Sequence, residues 1–223
     1  MRFSSILIIS ILFFNNLKAQ ESNLGNWWVF FNNVNFKNTK FNWHSEVQYR
    51  NYNIAGDLEQ LLLRTGIGYN LSDNNNNILL GYGFIQSENY PTISSKKEDK
   101  VGVSEHRIFQ QFVTKQQFSR FYFQHRCRYE QRFVEDEFKQ RFRYSLSLNI
   151  AINKKALEDN TLYFSAYNEI FLNIENEIYD RNRLYSGIGY KLNKNIRFEL
   201  GYMNQFMNGF SRDQLNVITS LNF

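Results

Sequence analysis

The sequence predicts an all-β protein, a single antiparallel transmembrane β-barrel of about 10–12 strands with a polar, Arg/Glu-rich lumen and an aromatic and aliphatic outer face. Three observations predict it. Apolar and polar residues alternate with a period of two through nearly the whole chain beyond residue 19, the signature of a strand with one face in each environment. Most of the alternating runs are eleven to sixteen residues long, where soluble strands average about 5 or 6 and a tilted membrane strand needs about 9–11. Beyond Ala19 no stretch approaches the roughly 20 apolar residues of a spanning helix, so insertion would have to be by strands. The mean hydropathy of −0.52 is compatible with this, because half of each alternating strand is polar.

The chain opens on its one continuous apolar run, Ile6 to Phe14 with Ser10 inside it, between Arg2 and the small-residue site Leu17-Lys18-Ala19. We read 1–19 as a cleaved secretory signal peptide, since nine residues cannot cross about 30 Å of hydrocarbon as a helix. Removing it leaves 24 basic against 21 acidic residues, too mild an excess to indicate nucleic acid as a partner. The single cysteine, Cys127, excludes an internal disulfide framework. Residues 20–223 form one domain.

Taken in order, the expected strands begin with 25–36, GNWWVFFNNVNF, whose place in the wall the alternation does not fix. In 41–54, Phe41, Trp43, Val47 and Tyr49 alternate with Asn42, His44, Glu46, Gln48 and Arg50; in 58–71, Leu61, Leu63, Ile67 and Tyr69 alternate with Arg64, Gly66 and Gly68. Strand 78–88 follows, and then 104–115, where polar groups fall on both parities around His106. Strand 120–133 sets Phe121, Phe123, Cys127 and Tyr129 against Arg126, Arg128, Glu130 and Arg132; in 137–152, Phe138, Phe142, Tyr144 and Leu146 face Lys139, Arg141, Arg143 and Ser145. Strands 161–174, 181–192 and 196–206 carry Tyr167 and Glu169, Arg183, and Arg197 and Glu199; 213–223 ends on Leu221 and Phe223. That makes eleven. A bacterial barrel with both ends of its chain in the periplasm needs an even number, so the expectation is 10 or 12.

Charge decides which parity faces lipid. An arginine turned to mid-bilayer costs about 2–4 kcal/mol, so the parity of Arg126, Arg128, Arg141 and Arg143 must face inward. The expected lumen lining is therefore Arg64, Arg126, Arg128, Glu130, Arg132, Lys139, Arg141, Arg143, Glu169, Arg183, Arg197 and Glu199, with Glu46 and Arg50 beside them. His125 falls on the lipid parity, where a bulge could re-aim it. Such a lumen is either an ion-paired plug or a narrow, anion-preferring conduit past Arg126, Arg128, Arg132, Lys139, Arg141 and Arg143. The inverse arrangement, a soluble lipocalin-like binding barrel with aromatics inside, has the same periodicity; strand length and the terminal Phe223, which resembles the assembly signal read by the barrel-assembly machinery, favour the membrane.

No site chemistry is visible: the sequence offers no metal-ligand spacing, cofactor loop or nucleophile motif, so no cofactor is expected. Ser104-Glu105-His106 suggests a lipid hydrolase, but neighbours on a strand point to opposite faces. Nucleic-acid binding is disfavoured because the rings and the charges lie on opposite faces. The segments GNWWVFFNN, HSEVQYRNYN, DLEQLLLRTGIGYNL, SEHRIFQQF, RFYFQHRCRYEQRF, YNEIFLN and NRLYSGIGYKLNKNIRFELGYMNQ together resemble a family of Gram-negative outer-membrane β-barrel proteins known only as a domain of unknown function. The resemblance implies an outer-membrane barrel with outer-membrane lipid around it, and neither an activity nor a solute.

Overall fold

A computed structural model describes residues 24–72, 75–91, 99–175 and 177–223. The expected signal peptide, and most of the connection around the lone Pro91, lie outside the described residues. Eleven strands form one closed barrel: β1 (Gly25–Asn35), β2 (Phe41–Asn51), β3 (Leu58–Asn70), β4 (Asn76–Asn89), β5 (Val101–Phe118), β6 (Phe121–Val134), β7 (Glu137–Ala151), β8 (Thr161–Asn173), β9 (Tyr179–Lys191), β10 (Ile196–Met207) and β11 (Phe210–Asn222). Every expected strand is present, and the ambiguous fifth is the longest, at 18 residues.

The even count is corrected. GNWWVFFNN is a full wall strand, antiparallel to β2 on one side and parallel to β11 on the other, with Gly25 opposite Gln214 and Asn33 opposite Asn222. One parallel seam is what an odd number of strands requires for closure. Leu24 and Phe223 consequently lie at opposite ends of the barrel rather than together. The end carrying Phe223 is called the lower end here. Phe223 is stitched into the seam: its amide donates to Asn33 O at 2.8 Å, and its carbonyl accepts from the Asn35 amide at 2.7 Å.

Strand partners followed round the wall climb from Asn35 at the lower end of β1 to Met207 at the upper end of β10. That stagger is the tilt that closes a sheet on itself. Register shifts occur only at Arg50/Asn51 and Phe171/Leu172 among the described pairings. Several hinges are two-residue turns, and a left-handed residue makes each sharp reversal: Ser119 (φ 55°), Glu135 (φ 50°) and Gly209 (φ 83°).

The pleat sorts the two faces as charge demands. Outward stand Trp28, Phe30, Val47, Leu63, Leu80, Phe112, Phe142, Leu184 and Leu200, all exposed, with Leu200 at 57%. Inward stand Glu46, Arg64, Arg107, Arg128, Glu130, Arg141, Arg143, Glu169 and Arg183, all buried. Aromatic rings also enter the lumen, and glycines on the same or the neighbouring strand make room for them. A Cβ at Gly189 would lie 2.2 Å from the Tyr163 ring and one at Gly81 would lie 2.3 Å from Phe109; Gly187 and Gly201, paired with each other, both lie against Tyr185. These rings take up the space over the glycines, which a side chain there would contest.

Candidate functional site

The interior is built around Glu130, which has no exposed surface. Strands β6 and β7 pair with Glu130 opposite Arg141 and Arg128 opposite Arg143, and the inward parity brings all four onto one surface. Arg141 donates from Nε (3.1 Å) and Nη2 (2.7 Å) to one carboxylate oxygen of Glu130, and Arg143 Nη1 donates to the other at 2.7 Å. Arg107 and Arg128 approach to 3.9 and 3.8 Å. Arg143 also donates from Nε and Nη2 to Glu169, at 3.0 and 2.7 Å, and Arg126 shares that carboxylate at 2.7 Å. Buried charges tolerate removal from water when their hydrogen-bonding capacity is met in this way.

Two further carboxylates extend the layer. Arg64 Nη1 donates to Glu46 at 2.9 Å, and Glu105 accepts from Arg107 and, at 2.6 and 3.0 Å, from Arg132. Guanidinium carbons sit over lumen aromatics: those of Arg143 and Arg183 over Phe171 at 4.3 and 4.6 Å, of Arg128 over Phe109 at 4.5 Å and of Arg50 over Trp27 at 3.7 Å. Cation–π contact of this kind suits arginine, whose charge is spread and weakly hydrated. Leu62, Ile85 and Phe171, almost wholly buried, complete the layer across the upper half of the lumen.

A cavity lies on each side of it. The upper one, about 440 Å³, is walled by Tyr52, Glu59, Tyr90, Arg181, Met207 and Arg212. Lys100 closes over its edge, donating to Leu58 O at 2.6 Å and ion-pairing with Asp57 at 2.5 Å, with its ammonium 5.0 and 4.8 Å from the Tyr52 and Tyr90 rings. Burial and Glu59 push the Tyr52 hydroxyl up to about 12. The lower cavity, about 420 Å³, runs from Trp27, Arg50 and Arg128 down to an asparagine rim at Asn35, Asn42, Asn70, Asn77 and Asn222. Glu130, Arg107, Arg141 and Phe171 line neither cavity and separate them.

Of the residues expected from sequence, Arg64, Arg126, Arg128, Glu130, Arg132, Arg141, Arg143, Glu169 and Arg183 converge in this layer. Arg197 and Glu199 line the lower cavity, where Glu199 accepts from Tyr163 and Tyr185 hydroxyls at 2.9 and 3.3 Å. Lys139 is a correction. Its parity is inward, but it sits two residues from the upper end of β7, paired with Glu137 and 47% exposed, on the rim rather than in the lumen.

Glu105 and Arg107 were missed as lumen residues because outward polar residues on β5 blurred its parity. Their neighbour His106 is on the outer face, bonded to the Tyr82 hydroxyl at 2.5 Å. His125 is also outward, and no bulge re-aims it: the register runs unbroken through it, and its ring bonds the Tyr144 hydroxyl at 2.8 Å. Ser104 donates to Gln86, while Glu105 faces the lumen, so Ser104, Glu105 and His106 do not form one site. Gly66 and Gly68 were placed on the parity of Arg64, but the room that lumen glycines leave for neighbouring side chains was not read. Their signal was legible in GIG at 66–68 and 187–189 and in GYG at 81–83, where glycine repeats on a single parity.

These features define the class: a closed, odd-stranded β-barrel, apolar outside, with an ion-paired arginine and glutamate interior. The model of the family described as "Protein of unknown function (DUF2490)" matches residues 24–216, and the chain belongs to that family. Comparison with curated proteins and with solved structures gave no match.

Proposed function

We propose that the protein is an integral outer-membrane β-barrel whose lumen is closed by the Glu130 layer, so that it acts through its end cavities and not as an open pore. One observation carries the reading: large apolar side chains cover the outer face while the charges are buried within it. In water that arrangement would expose far more apolar surface than a soluble monomer tolerates, and in a bilayer it is the stable one. The short apolar run Ile6 to Phe14 behind Arg2 supports export, and the apolar outer face makes outer-membrane lipid the surrounding partner. Closure is supported by the burial of Glu130, Arg128, Leu62, Ile85 and Phe171.

The test has two arms. Membrane fractionation should yield a detergent-extracted band of heat-modifiable mobility, and a freely soluble monomer would reject the membrane assignment. The purified barrel in planar bilayers should show no stable conductance. The arginine surplus favours a second reading, a narrow anion-preferring pore; steady current that loses its anion preference when Arg126, Arg128, Arg141 and Arg143 become serine would establish that reading in place of the first.

A further inference from the structure

We infer that the lower cavity is a binding cup for a small hydroxylated anion, of the chemical class of sugar phosphates and sugar acids. Its charge is unbalanced. Eight lysine and arginine side chains line it against three carboxylates, those of Glu46, Glu169 and Glu199. Crediting Glu130 to Arg143 still leaves a surplus. Among the described residues no carboxylate oxygen comes within 4.0 Å of Arg50, Arg183, Arg197 or Lys115, although Arg50 and Arg183 are 7% exposed. Arg128, 2% exposed, has Nη1 buried without a hydrogen-bond partner, and Arg197 has Nε in the same state. Unmet guanidinium donors beside a cavity are where a carboxylate or phosphate fits, because the fork matches either anion.

The remaining wall points to hydroxyls. Ser145, Ser147, Asn149, Ser165, Asn216 and Ser220 supply short donors and acceptors round the cup, and Asn149 Oδ1 and Asn216 Nδ2 are buried without partners. A volume of about 420 Å³ lies in the range of small-molecule sites, roughly 300–1,000 Å³. Trp27, under Arg50 and Arg183 at 3.7 and 4.9 Å, forms the cavity's inner end and provides a reporter, whereas Trp28 and Trp43 lie on the outer face.

This inference rests on the closed-lumen reading only in making the cup a dead end, and the two can fail separately. Calorimetry on the detergent-folded full-length barrel, with Trp27 emission followed in parallel, should give saturable binding of glucose 6-phosphate or glucuronate. Inorganic phosphate should bind more weakly and glucose not at all. Arg197→Gln should raise Kd at least tenfold, Ser147→Phe should abolish binding by filling the cup with every charge left in place, and Lys139→Gln at the opposite rim should change nothing. A heat-modifiable, folded barrel that gives no saturable signal with any of the anions overturns the site. Binding indifferent to both Arg197→Gln and Ser147→Phe places it elsewhere and overturns it equally. A barrel that conducts and still binds keeps the cup and overturns closure; one that neither conducts nor binds does the reverse.

Discussion

Glu130→Gln is the substitution that most directly probes the buried layer. The glutamate receives three charge-assisted hydrogen bonds, two from Arg141 and one from Arg143, at 3.1, 2.7 and 2.7 Å, with two more guanidinium groups within 4 Å. Glutamine keeps the volume but removes the charge and turns an amide N–H toward a guanidinium N–H. Removing one partner of a buried ion pair costs about 3–5 kcal/mol, because the other charge stays buried uncompensated. The lower part of that range is expected, since Arg141 retains Asp180 at 2.7 Å, Arg143 retains Glu169 and Arg107 retains Glu105, and among the described residues only Arg128 loses its one carboxylate within 4.0 Å. Urea titration of the barrel refolded in detergent, read by heat-modifiable mobility, measures the loss. Adding Arg143→Met should recover about 1–3 kcal/mol, because Glu169 still has Arg126 at 2.7 Å. A Glu130→Gln barrel within about 0.5 kcal/mol of the parent would show that Glu130 does not anchor the layer.

Gly189→Ala places a methyl in the Tyr163 ring and should destabilise by about 1–3 kcal/mol, with Tyr163→Leu in the same chain restoring part of it; undiminished stability in the same titration would mean that the ring is free to move. Leu200→Arg, midway along β10 and outward, should cost about 2–4 kcal/mol in vesicles if that face meets hydrocarbon, whereas Ser147→Arg, in the cup, should cost far less; equal effects would refute the assignment of faces. Deleting Phe223 removes two backbone hydrogen bonds at the parallel seam, and should slow folding into lipid vesicles and lower the yield; unchanged kinetics would show that the seam closes without it.

The fold was legible because one physical fact, the period of the pleat, repeats through every strand, and because guanidinium groups cannot face lipid. Phe121 to Phe133 alone gave both faces correctly, down to His125 on the outside. Strand count was not legible. The even-number expectation presumes both ends of the chain at the same end of the barrel, and the pairing of Trp28 with both Tyr49 and Val217 is a long-range fact with no local signature. The direction of the interior charges was readable, but their partners were not, since Arg126 and Glu169 are 43 residues apart and meet only after the barrel closes. Lys139 shows a further limit. Parity fixes a side, while depth along the strand decides whether that side is lumen or rim.

Depth also explains why the lumen is divided. An eleven-stranded wall encloses more space than the eight-stranded barrels whose interiors ordinary side chains just fill. Only long or wide residues bridge it, and the closing layer uses arginine, glutamate, phenylalanine and leucine. Leucine or phenylalanine at every inward position would make the strands apolar on both faces and prone to aggregate before the barrel closes, whereas arginine spans a similar distance and remains hydrated until it finds its carboxylate. Down the inward side of β7 the sequence reads Arg141, Arg143, Ser145, Ser147, Asn149, Ala151, and the packed layer gives way to the cup where the side chains shorten. The parallel progression Arg183, Tyr185, Gly187, Gly189 on β9 is filled instead by Tyr163 and Tyr185 lying over the glycines, which confines the cup to the side of the lumen where serine and asparagine are. Inward side-chain length, read strand by strand, thus sets where the barrel is solid and where it is hollow.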